Sequence, residues 1–477
     1  MRFGRLLRFG APVLASVLLV GGFVVQGAGS ASADSWGHGS HGAYGSMSSD
    51  GWDSQGQGDN GSGSNDGQDH HHRHGDNNSA ALFVSPTGTM SNSGDSCDTA
   101  QYSSIQSAVD AAPSGGTVIV CAGTYNEDVI VSSPLSLHGQ DAVISATSTA
   151  NGMCDQLGPT GPGSAPCLAG VTIKSSNVEI DGFTVENAIG EGILATGSLV
   201  GGSISDITIT NNQVLDNNTG GIPPSPTSPY PECAATGQVP GDCGEGIHLM
   251  GVDNSAVSDN YVSGNEGGVL LTDEFGPTHD NTVENNVITG NAFDCGITVP
   301  GHNPHALDAS GNPQPSVAGV YNNTIRGNVV TDNGLKGEGA GVLFANAGPG
   351  TASYDNVVED NYISGNELSG VTMHAHTLMP GQFEDLNGNQ IIDNAIGTNN
   401  VGSPLEAGDP LDGPPAQDFQ TTGILVFSGT VSVQVTIDHN VIFGNQNGVW
   451  LGINGNVDAS LNHDRFFNDN VPVFTYS

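Results

Sequence analysis

The sequence predicts an all-β chain: a right-handed parallel β-helix with a short N-terminal capping helix. Three observations carry that expectation. An asparagine-punctuated repeat runs through the chain after residue 212, a glycine plus β-branched pair follows most of its copies, and one stripe of helical period precedes them.

The repeat is Asn-x-φ-x-x-Asn, with φ β-branched. It begins at Asn212, Asn260, Asn286, Asn328, Asn361, Asn389 and Asn440, and closes at Asn217, Asn265, Asn291, Asn333, Asn366, Asn394 and Asn445. The φ residues are Val214, Val262, Ile288, Val330, Ile363, Ile391 and Ile442, while Val269, Ile297, Val342, Val371, Ile424 and Val449 each follow a glycine directly. A strand with one β-branched face cannot bury that face alone, so successive copies must stack. Parallel stacking aligns the φ residues into interior ladders and the asparagines into ladders at the bends. Asparagine also tolerates the left-handed conformation that a sharp bend needs. The copies are unevenly spaced, so insertions interrupt the coils at 218–244, 273–280, 301–318, 375–387 and 395–422.

The upstream elements follow in order. Ala81 to Ser85 reads as a short strand. Ile105, Ala108, Val109 and Ala112 fall at i, i+3, i+4 and i+7, the apolar stripe of a helix that Pro113-Ser114-Gly115-Gly116 stops. Thr117 to Cys121 is β-branched and Gly123-Thr124-Tyr125 turns the chain. A helix ahead of the coils covers the apolar end of a solenoid.

Residues 1–33 read as an export signal: Arg2, Arg5 and Arg8, an apolar run from Ala11 to Val25, and the small-residue site Ala31-Ser32-Ala33. The expected location is extracellular, with no membrane span after cleavage. Those arginines are the only charged side chains of 1–33, so their removal takes the formal charge from −41 to −44. Such a surface repels nucleic acid and anionic membranes and suits cations, neutral glycans or simple solubility. Residues 34–80 are Gly, Ser, Asp, Asn and His, a composition expected to stay disordered. Its run His70-His71-His72-Arg73-His74 could bind a transition metal, although a solvated tether is the plainer reading. The remaining span, 81–477, is the β-helix domain, expected as a monomer. Seven cysteines fit an oxidising compartment. Cys97 with Cys121, Cys154 with Cys167 and Cys233 with Cys243 are the short-range pairings expected, leaving Cys295 as a buried or a reactive thiol.

The run Ile105-Gln106-Ser107-Ala108-Val109-Asp110-Ala111-Ala112, then Thr117-Val118-Ile119-Val120, then Gly123-Thr124-Tyr125-Asn126-Glu127, resembles the opening of right-handed parallel β-helix repeat proteins of the pectate-lyase-like superfamily, and the asparagine coils resemble their repeat. The resemblance covers about residues 81–477. It implies an extracellular glycan as partner and a polysaccharide lyase or glycoside hydrolase if the chain is an enzyme. The superfamily also contains proteins with no chemistry, so a structural or adhesive wall is the rival expectation.

Candidate residues come from the register. With each φ after glycine pointing inward, alternate residues point out. That places Thr272 and Glu274, Thr298 and His302, Thr372, His374 and His376, Leu425 and Phe427, and Trp450 on one outer face. His374 and His376 could bind a metal or shuttle protons, His302 could bind substrate, and Phe427 and Trp450 could stack on sugar rings. A weakly polar face covered by the inserted loops, with its aromatics merely packed, is the competing reading. A hydrolase needs two carboxylates, for which Asp273, Glu274, Glu384 and Asp385 are candidates. A lyase needs a basic residue, and Lys336 is the best placed of Lys174, Arg326, Lys336 and Arg465. Calcium is the one cofactor expected, at Glu384, Asp385, Asp409 and Asp412 in acidic loops. Asp385-Leu386-Asn387-Gly388-Asn389 looks like the start of a calcium loop, but Gln390 and Ile396 stand where that loop needs glycine and an acid, so a coil bend is expected there. The Asn-Thr-Asp, paired-Asp, Gly-His-Gly and Arg-Ile-Lys signatures of polygalacturonase-like hydrolases are missing from the coils.

Overall fold

The computed structural model describes residues 81–476 apart from 147–152, 155–156, 159–160, 163–164, 167–168, 199–201, 219–243, 303–318, 338, 347–349, 376–383, 402–419, 430 and 453–455. The export signal, the histidine run and the pairings Cys154–Cys167 and Cys233–Cys243 lie outside the described residues.

The described strands stack into a right-handed parallel β-helix. One 21-stranded, one 11-stranded and one five-stranded sheet wind together, and their pairings are parallel. One coil illustrates the plan. Val252–Asp253 lies in the five-stranded sheet, Ala256–Ser258 and Tyr261–Ser263 are two strands of the largest sheet, and Gly267–Thr272 lies in the 11-stranded sheet. Bends at Ser255, Asn260 and Asn265 separate them. The interior is dry and β-branched: Val214, Val262, Ile288, Val330, Ile363 and Ile442 are 0% exposed and stack in register.

The bends divide two tasks that the sequence suggested one residue would perform. Ladder asparagines are buried, and their amides run along the helix axis. The Oδ1 of Asn260 accepts from the N–H of Asn212 at 2.9 Å and from its Nδ2 at 3.1 Å, while Asn212 Nδ2 also reaches Ile180 O at 3.0 Å. The same pattern continues through Asn286, Asn328, Asn361, Asn394 and Asn440 to Asp464. The left-handed conformation falls instead on the residue before most ladder asparagines: Asn211, Asp259, Asn285, Asp360, Asp393 and His439 all have positive φ.

The ladders also correct one repeat. Asn389 does not begin a copy in register with Asn361. It continues a neighbouring ladder through Asn281, Asn323 and Asn356, and Ile391 pairs with Val358. Asn394 takes the first position and Asn399 the second, with Ile396 as the interior residue beside Ile363. Consecutive bends use the same asparagine chemistry, so a pattern match can slip by one strand.

The capping helix runs Ile105–Ala111 and buries Ile105, Ala108 and Val109. Ser104 caps it, and the Glu127 carboxylate accepts from Ser104 Oγ at 2.8 Å, Ile105 N at 2.7 Å and Gln106 N at 3.1 Å. A negative charge on these free N–H groups is the favourable arrangement at a helix start. The expected Cys97–Cys121 disulfide is formed, and Cys295 is a buried free thiol. No helix among the described residues is long and apolar enough to cross a membrane.

Candidate functional site

The site grows from the corner where the largest sheet turns into the 11-stranded one. At Gly246-Ile247 two consecutive residues face inward. Ile247 joins the core, and a Cβ on Gly246 would run into Val262 Cγ1, so only glycine fits. This break in alternation puts the residue before the glycine and the residue after φ on the outer side together. Glu245 and His248 are such a pair, and Cys295 and Thr298 in a later coil are another. Coil stacking then aligns His248 with Leu194 above and Leu270 below.

A buried polar chain results, spread over four successive coils. Glu191, Glu245 and His248 are all 0% exposed, and one ligand atom from each lies within 4.8 Å of the others. His248 Nδ1 faces Glu191 Oε1 at 3.4 Å, and its Nε2 meets Thr272 Oγ1 at 2.8 Å. Asp273 and Glu274 follow at the strand end. The N–H of His302 donates to Asp273 Oδ1 at 2.7 Å, and its ring Nδ1 lies 3.1 Å from Glu274 Oε1. Burial, reinforced by the Glu274 charge, pushes Asp273 up to about 7. Burial would raise Glu274 too, but bonding and charge from His302, with His248 and Thr272, hold it below its usual value. Neighbouring carboxyls driven apart in this way can hold and release a proton near neutrality.

The other expected residues are distributed unevenly. Asp273, Glu274 and His302 are brought together as described. His374 is on the same wall and buried, in register with Phe427. Phe427 and Trp450 do lie on the outer side, yet they pack on each other, with ring centroids 6.2 Å apart, and with Leu425 and Phe474. They are 3% and 0% exposed, so the expected open stacking surface is closed. Lys336 is exposed on the turn after Asn333, where its N–H bonds to Ala292 O. Glu384 is buried; the Asp385 carboxylate accepts from Asn387 N at 3.0 Å and Asn387 Nδ2 at 2.7 Å, closing its own turn. With Leu386 fully buried, this segment is the coil bend expected from sequence. His376, Asp409 and Asp412 lie outside the described residues.

Sequence reasoning missed Glu191, Glu245 and His248. The available signal was an acid directly before a Gly-φ pair, in Glu191-Gly192-Ile193 and Glu245-Gly246-Ile247, but simple alternation assigns such an acid to the wrong face. A second group, Asp438, His439 and His463, sits on the last coils with both histidines exposed and their rings stacked.

Residues 174–409 match the family model described as NosD, periplasmic copper-binding protein. No curated protein matches the chain in sequence. Among solved structures, the chain is similar to the mannuronan C-5 epimerase AlgE4 A-module of Azotobacter vinelandii, with 19% identity, 78% of this chain and 94% of that one covered, and a TM-score of 0.40. It is also similar to an alginate lyase from Paenibacillus, with 15% identity, coverage of 82% and 99%, and a TM-score of 0.34. An α-1,3-glucanase from Streptomyces thermodiastaticus gives 13%, coverage of 78% and 66%, and 0.40.

Proposed function

We propose that this right-handed parallel β-helix is an exported protein, similar to the pectate-lyase-like superfamily, that binds or processes carbohydrate on the outer wall of its 11-stranded sheet. The observation that carries this reading is the meeting of Asp273 and Glu274 on His302, within 2.7 Å and 3.1 Å. Cleaving a glycosidic bond needs one carboxyl that delivers a proton to the leaving oxygen and another that stays ionised. Asp273, raised to about 7, suits the first role, and Glu274, held ionised by the two histidines, suits the second. Lys336, exposed on a separate turn, gives a lyase mechanism less support.

The matched family's description names copper. The two groups of potential ligands among the described residues are Glu191/Glu245/His248 and Asp438/His439/His463. Neither contains a sulfur ligand, so cuprous copper fits neither well. Calcium enters the proposal as a stabilising ion of the acidic loops.

A second reading, a non-catalytic wall, is favoured by the burial of the whole constellation: Asp273 is 0% and Glu274 4% exposed. A polysaccharide-turnover and glycan-binding screen of the full chain, with and without calcium, separates the two. New reducing or unsaturated ends, abolished by both Asp273→Asn and Glu274→Gln, support the enzyme. Binding without turnover supports recognition alone, and silence across the panel supports the wall.

A further inference from the structure

The geometry points to a site for one divalent first-row cation of the zinc class, held by Glu191, Glu245 and His248 between two coils. It lies in the wall described above but stands on separate observations and needs no turnover to test.

The first is the arrangement around His248. Thr272 Oγ1 lies 2.8 Å from His248 Nε2. That contact fixes the orientation of the imidazole. Nδ1 is thereby turned toward two carboxylates. A direct charge-assisted hydrogen bond to one of them would be about 2.8 Å long. The observed separation from Glu191 Oε1 is 3.4 Å.

That separation has another meaning. Ligands about 2.1 Å from a tetrahedral ion stand about 3.4 Å from each other. Nδ1 and Oε1 therefore span one edge of such a tetrahedron, and Glu245 is within 4.8 Å to supply the third corner.

The third observation is an orphan. Glu191 is 0% exposed, and its Oε2 has no hydrogen-bond partner. An ionised carboxylate oxygen left bare in an apolar wall is costly. A divalent ion answers the charge and engages the carboxylate. The contact of His248 Nε2 with Thr272 Oγ1 at 2.8 Å is the kind of outer support that metal-bound histidines commonly have. Two carboxylates and one imidazole suit a borderline divalent ion.

The test uses the full chain, stripped with a chelator and titrated with zinc, while metal content and Tm are measured. His70, His71, His72 and His74 are common to wild type and variants, so their binding cancels in the comparison. The wild type should hold one more zinc equivalent than Glu191→Gln, Glu245→Gln or His248→Gln. Zinc at about 1,000 times Kd should raise wild-type Tm by about 5 °C, a shift each variant loses and Asp273→Asn keeps. Glu191→Gln preserves shape at an oxygen that has no partner to lose, so it is the variant most suited to stay folded. Cobalt in place of zinc gives a second readout on wild type alone, a visible band of four-coordinate intensity. Equal zinc content and equal Tm shifts in wild type and the glutamine variants overturn the site. So does a folded wild type with no cobalt band, and cuprous copper binding without zinc binding overturns the ion class.

Discussion

The N–H of His302 donates to Asp273 Oδ1 across 2.7 Å, from the next strand along the wall. That bond favours the charged carboxylate, yet burial and the adjacent Glu274 outweigh it and raise Asp273 from 3.8 to about 7. An acid whose folded pKa is raised stabilises the fold fully below its unfolded pKa and loses that contribution as pH climbs through the folded value. Wild-type stability should therefore fall between about pH 4 and pH 7, and Asp273→Asn should flatten that limb. Denaturant melts across this range check it. An identical slope in both proteins would remove Asp273 as the cause.

The asparagine ladder makes a second prediction by contrast between neighbours. Asn286 Oδ1 accepts from Asn260 N at 2.9 Å and Nδ2 at 3.0 Å, and its own Nδ2 donates to Val257 O at 2.9 Å. Asn286→Ala strands several buried groups and should cost about 3 kcal/mol. Asn285→Gly, at φ 56, should stay within about 0.5 kcal/mol, since glycine adopts that conformation freely. Equal losses from the two changes would contradict the division of tasks at the bend.

Asp464 closes the same ladder with the wrong chemistry. Its Oδ1 accepts from Asn440 N and Nδ2, both at 2.9 Å, but Oδ2 has no partner, and burial raises the carboxyl above its usual pKa. Asp464→Asn supplies the donor that upstream copies aim at a carbonyl, and should stabilise the chain by about 1 kcal/mol at neutral pH. Urea midpoints measure this, and an unchanged or lower midpoint would refute it.

The Cys97–Cys121 bridge links residues 24 apart at the capped end. Its removal as a Cys97→Ser/Cys121→Ser pair should cost about 3 kcal/mol through the freed unfolded chain. Thermal melts of the double variant against wild type test it, with a Tm change within error as the contrary result.

Much of the fold was legible because it is local and repeated. The β-branched φ residues, the glycines before them and the bend asparagines each meet the same neighbours in the next coil, so one short pattern encodes a whole ladder. The same redundancy hid the frame of the copy at Asn389, since adjacent bends carry the same residues and the tertiary pairings, such as Ile391 with Val358 and Asn356 with Asn389, distinguish them. The candidate site was half legible. Glu274 and His302 followed from alternation along strands and Asp273 from the acidic pair it forms with Glu274, whereas Glu191, Glu245 and His248 required the corner at Gly246, where alternation breaks.

Sequence alone therefore determined the parallel stack, the dry β-branched interior and the capping helix, because each depends on short-range pattern, whereas the Cys97–Cys121 pairing was settled by the structure. Tertiary structure alone decided which acids share a wall, how deeply they are buried and that Phe427 and Trp450 pack against each other. Those properties depend on which coil lies against which, and contacts such as His248 to Thr272 or Glu191 join residues 24 and 57 positions apart in the chain.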